Sequence, residues 1–196
     1  MISTVALLAL AGCKTAPQTR PEPDEPSAED AEQVQLMEMA AGSAGSHPCT
    51  DASWHWSSTS PKVNRLHVFC GEIGSNKSPK GFHSIVHQKA SSVVTGVGKK
   101  KNNHNGIYDA DVSFAAPATP STKMSTFFPD TCSEDQITES ILYAANNQTG
   151  PHSAWGVLGP SAPKTGGHQY CLDSKGKPFT IRMGLTRSDV NTAFPN

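Results

Sequence analysis

No apolar run in this chain is long enough to cross a bilayer, because a spanning helix needs about 20 consecutive apolar residues. The first candidate, MISTVALLALAGC, stops short at Cys13. There is no Cys-x-x-Cys pair, which argues against a structural zinc site. No cluster of carboxylates marks a metal site either. Charge of one sign is also scarce overall: 16 Lys and Arg face 17 Asp and Glu, a net of −1. That balance conceals a split. Residues 14–46 carry Lys14 and Arg20 against seven acids, a net of −5. Residues 47–196 carry fourteen cations against ten acids, a net of +4, together with all eight histidines. A mildly basic body on an acidic leash is compatible with an anionic partner such as nucleic acid. With 196 residues and 36% apolar content, the chain supports one globular domain plus appendages.

The N-terminal run, residues 1–13, has small residues ahead of its cysteine, as in a cleaved secretory signal. It resembles the lipobox of bacterial lipoproteins, although no Lys or Arg precedes the apolar stretch. The resemblance implies lipidation of Cys13, export, and anchoring in the bacterial cell envelope (periplasm or outer membrane) through that lipid alone. Residues 14–46 contain KTAPQTRPEPDEPSAEDAEQ, whose prolines and acids bury too little apolar surface to offset ordering entropy. They read as a disordered tether, with VQLMEMAA adding a turn or two of helix. Cys49, Cys70, Cys132 and Cys171 are then expected to form two disulfides, with three pairings open.

The body, residues 47–196, reads as α+β. LHVFCGEI, residues 66–73, mixes aromatic and β-branched residues as a strand or its approach does. GVGKKKNNHNG, residues 96–106, reads as a basic loop, and IYDADVSFA, residues 107–115, as a half-buried strand. Residues 133–147 read as a helix, opened by a Ser133 and Gln136 capping box and carrying Ile137, Ile141, Leu142 and Ala145 on one stripe. KPFTIRMGL and VNTAFPN, separated by TRSD, read as a β-hairpin. Residues two apart share a strand face, so Thr192 and Phe194 project together. A hydroxyl beside a flat ring suits a nucleobase, one contacting an edge and the other a face.

HVFCGEIGSNKSPKGFH begins at His67 and ends at His83. Cleaving RNA without a metal requires a base for the 2′-OH proton and an acid for the departing 5′ oxygen. Imidazole suits both, because its pKa lies near working pH. A lysine suits the charge that grows on the phosphorus oxygens. Lys99, Lys100 and Lys101 suit phosphate contacts or plain surface, His87 and Lys89 read as solvated or near the phosphate path, and Trp54 and Trp56 as packing against the first disulfide.

LHVFCGEIGSNKSPKGFHS resembles the EndoU family of endoribonucleases, with its His-hydrophobic-Phe-x-Gly-Glu and Gly-Phe-His blocks. KMSTFFPDTCSEDQI and NTAFPN resemble two later blocks of the family's bacterial branch, in order. The resemblance spans roughly residues 48–196. It implies two antiparallel sheets around a cleft, with flanking helices and a ribonuclease A-like catalytic core. It implies lyase-type cleavage of single-stranded RNA 3′ of uridine, giving a 2′,3′-cyclic phosphate. The implied roles are His83 as base, His67 as acid and Lys123 as the cation. Thr192, Phe194, Ser125 and Thr126 are implied at the substrate, and Glu72 behind a histidine. Phe194 stands where many relatives have tyrosine, which keeps stacking and removes one hydroxyl hydrogen bond. No cofactor is expected to be required, although manganese stimulates some members. The competing reading is a non-catalytic envelope lipoprotein that binds RNA or a protein with the same fold. A cognate immunity protein does not follow from one sequence.

Overall fold

The computed structural model describes residues 49–196. Cys13, the acidic tether and the short helix expected in VQLMEMAA lie outside the described residues.

Ten strands and one long helix make up the described body, an α+β fold. Strands β3 (Val94–Val97), β4 (Lys101–His104), β5 (Ile107–Phe114) and β6 (Thr122–Phe127) form one antiparallel sheet. In it β5 pairs with β6 along one edge and with β3 and β4 along the other. Strands β7 (Gly150–Pro151), β8 (Val157–Pro160), β9 (Thr180–Thr186) and β10 (Asp189–Pro195) form a second sheet, ordered 10-9-8-7. A two-stranded ribbon joins β1 (Glu72–Ile73) to β2 (Pro79–Lys80).

Local sequence accounts for several elements. On β5 the residues Tyr108, Ala110, Val112 and Phe114 are buried, and their alternation places them in one core with Phe82 and Phe127. Helix α1 (Glu134–Asn146) begins at Ser133, whose hydroxyl accepts from Gln136 N while the Gln136 side chain accepts from Ser133 N. Its face carrying Ile137, Ile141 and Ala144 packs into the other core, which also holds both disulfides. The β9–β10 hairpin turns at Arg187 and Ser188, as its sequence predicts.

The pairing left open by the sequence is Cys49–Cys70 and Cys132–Cys171. The bridges close loops of 21 and 39 residues. Loop-closure entropy alone makes these worth about 3 and about 4 kcal/mol. The first ties the N-terminal end of the body to the segment carrying His67, and the second ties the start of α1 to the loop before β9.

Of the two readings of residues 66–73, the approach to a strand holds, and three other expectations are corrected. Residues Leu66–Cys70 form a π-helical turn, and strand pairing starts only at Glu72. The turn is fixed from outside itself. Asn64 Oδ1 accepts from His67 N at 3.1 Å, and the carbonyls of His67 and Val68 accept from Phe82 N and His83 N, both at 2.7 Å. The supposed basic loop 96–106 instead contributes β3 and β4 to the edge of β5. There Lys100 pairs with Asp130 and lies over the Tyr108 ring, and Lys101 pairs with Asp111, so two of the three lysines already have anionic partners. His87 is not solvated. Its Nε2 meets Glu134 Oε2 at 2.7 Å, and its ring packs edge-on against Trp54 and Phe69. Trp54 shares a core with the first disulfide, whereas Trp56 is exposed.

Candidate active site

The π-helical turn and the chain entering from β2 meet through the two backbone hydrogen bonds just described. That contact demands glycine at position 81. Gly81 has φ +67°, and a Cβ there would lie 2.0 Å from the His67 carbonyl oxygen. Residues sixteen apart in sequence are thereby brought face to face. The His67 and His83 rings sit 5.9 Å apart, and both side chains are mostly buried at one cleft of about 370 Å³.

Each imidazole is oriented through Nδ1. In His67 this atom lies 2.7 Å from Glu72 Oε1. That hydrogen bond is the main reason the Glu72 carboxyl is held below the usual carboxylate range, with the His67 charge adding to it against the opposing effect of burial. Glu72 therefore stays ionised and accepts from His67 Nδ1–H, leaving Nε2 toward the cleft. Glu72 thus contacts and orients the His67 ring.

In His83, Nδ1–H donates to the Thr126 carbonyl at 2.9 Å, which fixes the tautomer with the lone pair on Nε2. Burial pushes the His83 pKa well below the ordinary histidine value, and the charges of Lys123 and His67 push it further the same way. His83 is thus neutral. Phe194 stacks on its ring at 4.9 Å and 23°.

Strand β6 supplies the cation. Lys123 Nζ donates to the Gly81 carbonyl at 3.0 Å and to Ser125 Oγ. No carboxylate pairs with it among the described residues, and burial lowers its pKa to about 8. Ser125 lies two residues on, on the same strand face. Its buried hydroxyl also contacts Gly81 O, so it positions Lys123 instead of offering a free group to substrate. Thr126 lines the cleft, but its hydroxyl donates to Asp109 Oδ1 at 2.8 Å while its carbonyl holds His83.

Thr192 and Phe194 enter from β10, which approaches β6 where the two sheets meet. All eight side chains predicted for the site within the described residues therefore converge on this cleft or, for Glu72, on a residue that lines it. Sequence reasoning missed Asn64, Trp155 and Arg182. Asn64 anchors the His67 backbone and binds Asn191. Trp155, 46% exposed, forms a wall of the cleft, over Gly184 and against Phe194 at 5.8 Å. Arg182 lies over the Trp155 ring at 3.8 Å. A lone tryptophan in the polar stretch HSAWG was the one signal available for this group.

The arrangement offers a neutral imidazole, a second imidazole backed by a carboxylate, and an unpaired ammonium in one cleft. This is equipment for moving protons at an anionic centre. No group of three or more potential metal ligands occurs among the described residues, and no helix among them is long and apolar enough to cross a membrane.

A sequence model of the family described as bacterial EndoU nuclease matches residues 62–196. A protein of Bacillus cereus named Toxin is 32% identical over 84 residues, covering 42% of this chain and 15% of its own length. The chain thus spans only a small part of that relative. No solved structure matches.

Proposed function

Since the chain belongs to the bacterial EndoU nuclease family, we propose that it cuts single-stranded RNA 3′ of uridine, by transphosphorylation and without a metal. The observation that carries this reading is the convergence of His67, His83 and Lys123 on one cleft, with the two rings 5.9 Å apart. In the proposed step the ribose 2′ oxygen attacks phosphorus and its proton passes to His83 Nε2. Lys123 meets the charge that builds on the non-bridging oxygens. The bond from phosphorus to the 5′ oxygen breaks, and His67 Nε2–H protonates that oxygen. The products are a 2′,3′-cyclic phosphate and a 5′-hydroxyl, with the proton count conserved.

The neutral state of His83 supports its role as base, since a proton acceptor must begin unprotonated. Glu72 supports the acid role of His67, because its carboxylate holds Nδ1 and so orients the ring with Nε2 toward the cleft. The Thr192 hydroxyl has no hydrogen-bond partner among the described residues and remains available to a uracil edge. Both disulfides support a further proposal, that the chain is exported to an oxidising compartment and anchored there by a lipid on Cys13.

Oligonucleotides carrying one uridine, cytidine or adenosine in an otherwise 2′-deoxy strand test the reading. The full chain is expected to cut after uridine in EDTA at the rate seen in manganese, and after the other two more slowly. Cleavage that vanishes in EDTA would overturn the metal-free step, and equal cutting after all three bases would overturn uridine selection. A folded protein that binds RNA and cuts none of them would favour the non-catalytic binding reading.

A further inference from the structure

We propose that the cleft continues past Phe194 into a second nucleotide subsite, seating the base of the nucleotide on the 5′ side of the cleaved uridine, which a dinucleotide cut 3′ of its uridine lacks. The inference rests on the RNA-cleaving reading and adds a site outside the residues assigned above. A second hollow, of about 520 Å³, adjoins the first, and Thr126 and Phe194 line both. Phe194 therefore divides two chambers instead of closing one.

The walls of the second chamber suit a nucleobase better than a bare phosphate. Half-buried Ile107 and the ring of Phe194 supply apolar and aromatic surface, backed by the buried Tyr108 and Pro195. Asp109 adds a carboxylate whose two oxygens are each held, Oδ1 by the Thr126 hydroxyl at 2.8 Å and Oδ2 by Asn102 Nδ2 at 2.9 Å. A fixed anion repels phosphate, while its remaining lone pairs accept from the amino group or ring N–H of a base. His104, exposed on β4, stands at the rim.

Arg182 supplies what a strand crossing the divide would need. Its Cζ lies 3.8 Å from the Trp155 ring centre and 5.9 Å from that of Phe194, and Nε donates to the Trp155 carbonyl at 3.0 Å. The guanidinium is thus fixed in place and lines the second hollow. Its Nη2 is buried without a hydrogen-bond partner, and no carboxylate pairs with Arg182 among the described residues. A desolvated, unpaired donor is costly unless a partner arrives. The phosphate joining two nucleotides on either side of Phe194 is an acceptor of the right charge for this guanidinium.

The test compares kcat/KM for a uridine-containing dinucleotide with that for hexanucleotides carrying the same single uridine. Base stacking in such chambers adds about 1–3 kcal/mol per base, so the hexamer is expected to exceed the dinucleotide by about tenfold or more. Arg182→Gln and, separately, the surface change His104→Ala are expected to shrink that ratio at least threefold. The ratio is an internal control for folding, since a misfolded fraction lowers both constants together. A wild-type ratio near one, or a ratio that neither substitution moves, would overturn the subsite. If the protein cuts nothing, fluorescence anisotropy with the same labelled RNAs decides. Tighter hexamer binding that depends on Arg182 would keep the subsite while the cleavage reading fails, and length-independent binding would overturn the subsite.

Discussion

Replacing His83 by alanine is expected to lower kcat/KM for uridine-containing RNA by roughly 10²- to 10⁴-fold, the range typical of a lost general base. Two observations place the effect toward the upper part of that range. The Nδ1–H bond to Thr126 holds Nε2 as the single acceptor, and burial keeps that ring unprotonated. His83→Ala also removes the ring on which Phe194 stacks, so the conservative His83→Gln belongs beside it. Both variants should lose activity alike if proton transfer is the role, whereas a packing role would let glutamine recover most of it. The pH dependence supplies an independent readout. A base works only while unprotonated, and burial, then Lys123, then His67 all lower the His83 pKa. The acid limb of kcat/KM is therefore expected below the ordinary histidine range, with activity persisting as pH falls through 6.5. An acid limb at or above that value would contradict the assignment.

Lys123→Met is expected to lower kcat by about 10²- to 10³-fold, the size of losing one preorganised electrostatic donor. KM should change little, because the charge it meets is largest in the transition state. Methionine preserves the apolar stem that crosses the buried part of the site. Arginine is expected to rescue poorly, since the Gly81 carbonyl and Ser125 hydroxyl are spaced to receive a compact ammonium and not a planar fork. Burial lowers the Lys123 pKa to about 8, so the lysine is mostly charged at neutral pH and loses its proton as pH rises through that value. The wild-type to Lys123→Met rate ratio should accordingly be largest at neutral pH and decline above about 8. A loss confined to KM would reassign Lys123 to ground-state binding.

Elements specified by neighbours in sequence were legible in advance. The helix followed from Ser133 and Gln136, which satisfy each other within one turn, and from the spacing of Ile137 and Ile141. Strand β5 followed from its alternation, and the terminal hairpin from two alternating runs about a turn. What stayed hidden depends on partners far along the chain. Leu66–Cys70 has strand-like composition, yet it coils because Asn64, Phe82 and His83 satisfy its backbone groups. The lysines near position 100 suggested a solvated loop, because their carboxylate partners Asp111 and Asp130 lie elsewhere in sequence. His87 looked like surface until Glu134 and Trp54 enclosed it.

The candidate site divides the same way. His67, His83, Lys123, Thr192 and Phe194 stood out through family blocks and chemical suitability. The hydroxyls of Ser125 and Thr126 turned to Lys123 and Asp109, contacts set by the pairing of β6 with β5 and by the approach of Gly81. Trp155 and Arg182 carried no periodic or motif signal. Their relevance arises where the β7–β8 connection folds over Gly184, a position with no side chain to obstruct the indole.

The most direct test of the central claim is the fate of solvent oxygen during cleavage. A single-uridine oligonucleotide would be cut by the full chain in ¹⁸O-water with EDTA present, and both product ends weighed by mass spectrometry at early times. Transphosphorylation uses the ribose 2′ oxygen as nucleophile, so the account predicts a cyclic phosphate 3′ of the uridine, free of ¹⁸O, and an unlabelled 5′-hydroxyl, with no such product from His67→Ala or His83→Ala. A linear phosphate carrying one ¹⁸O from the first turnover would mean that water attacks directly, and would contradict the roles assigned to both histidines.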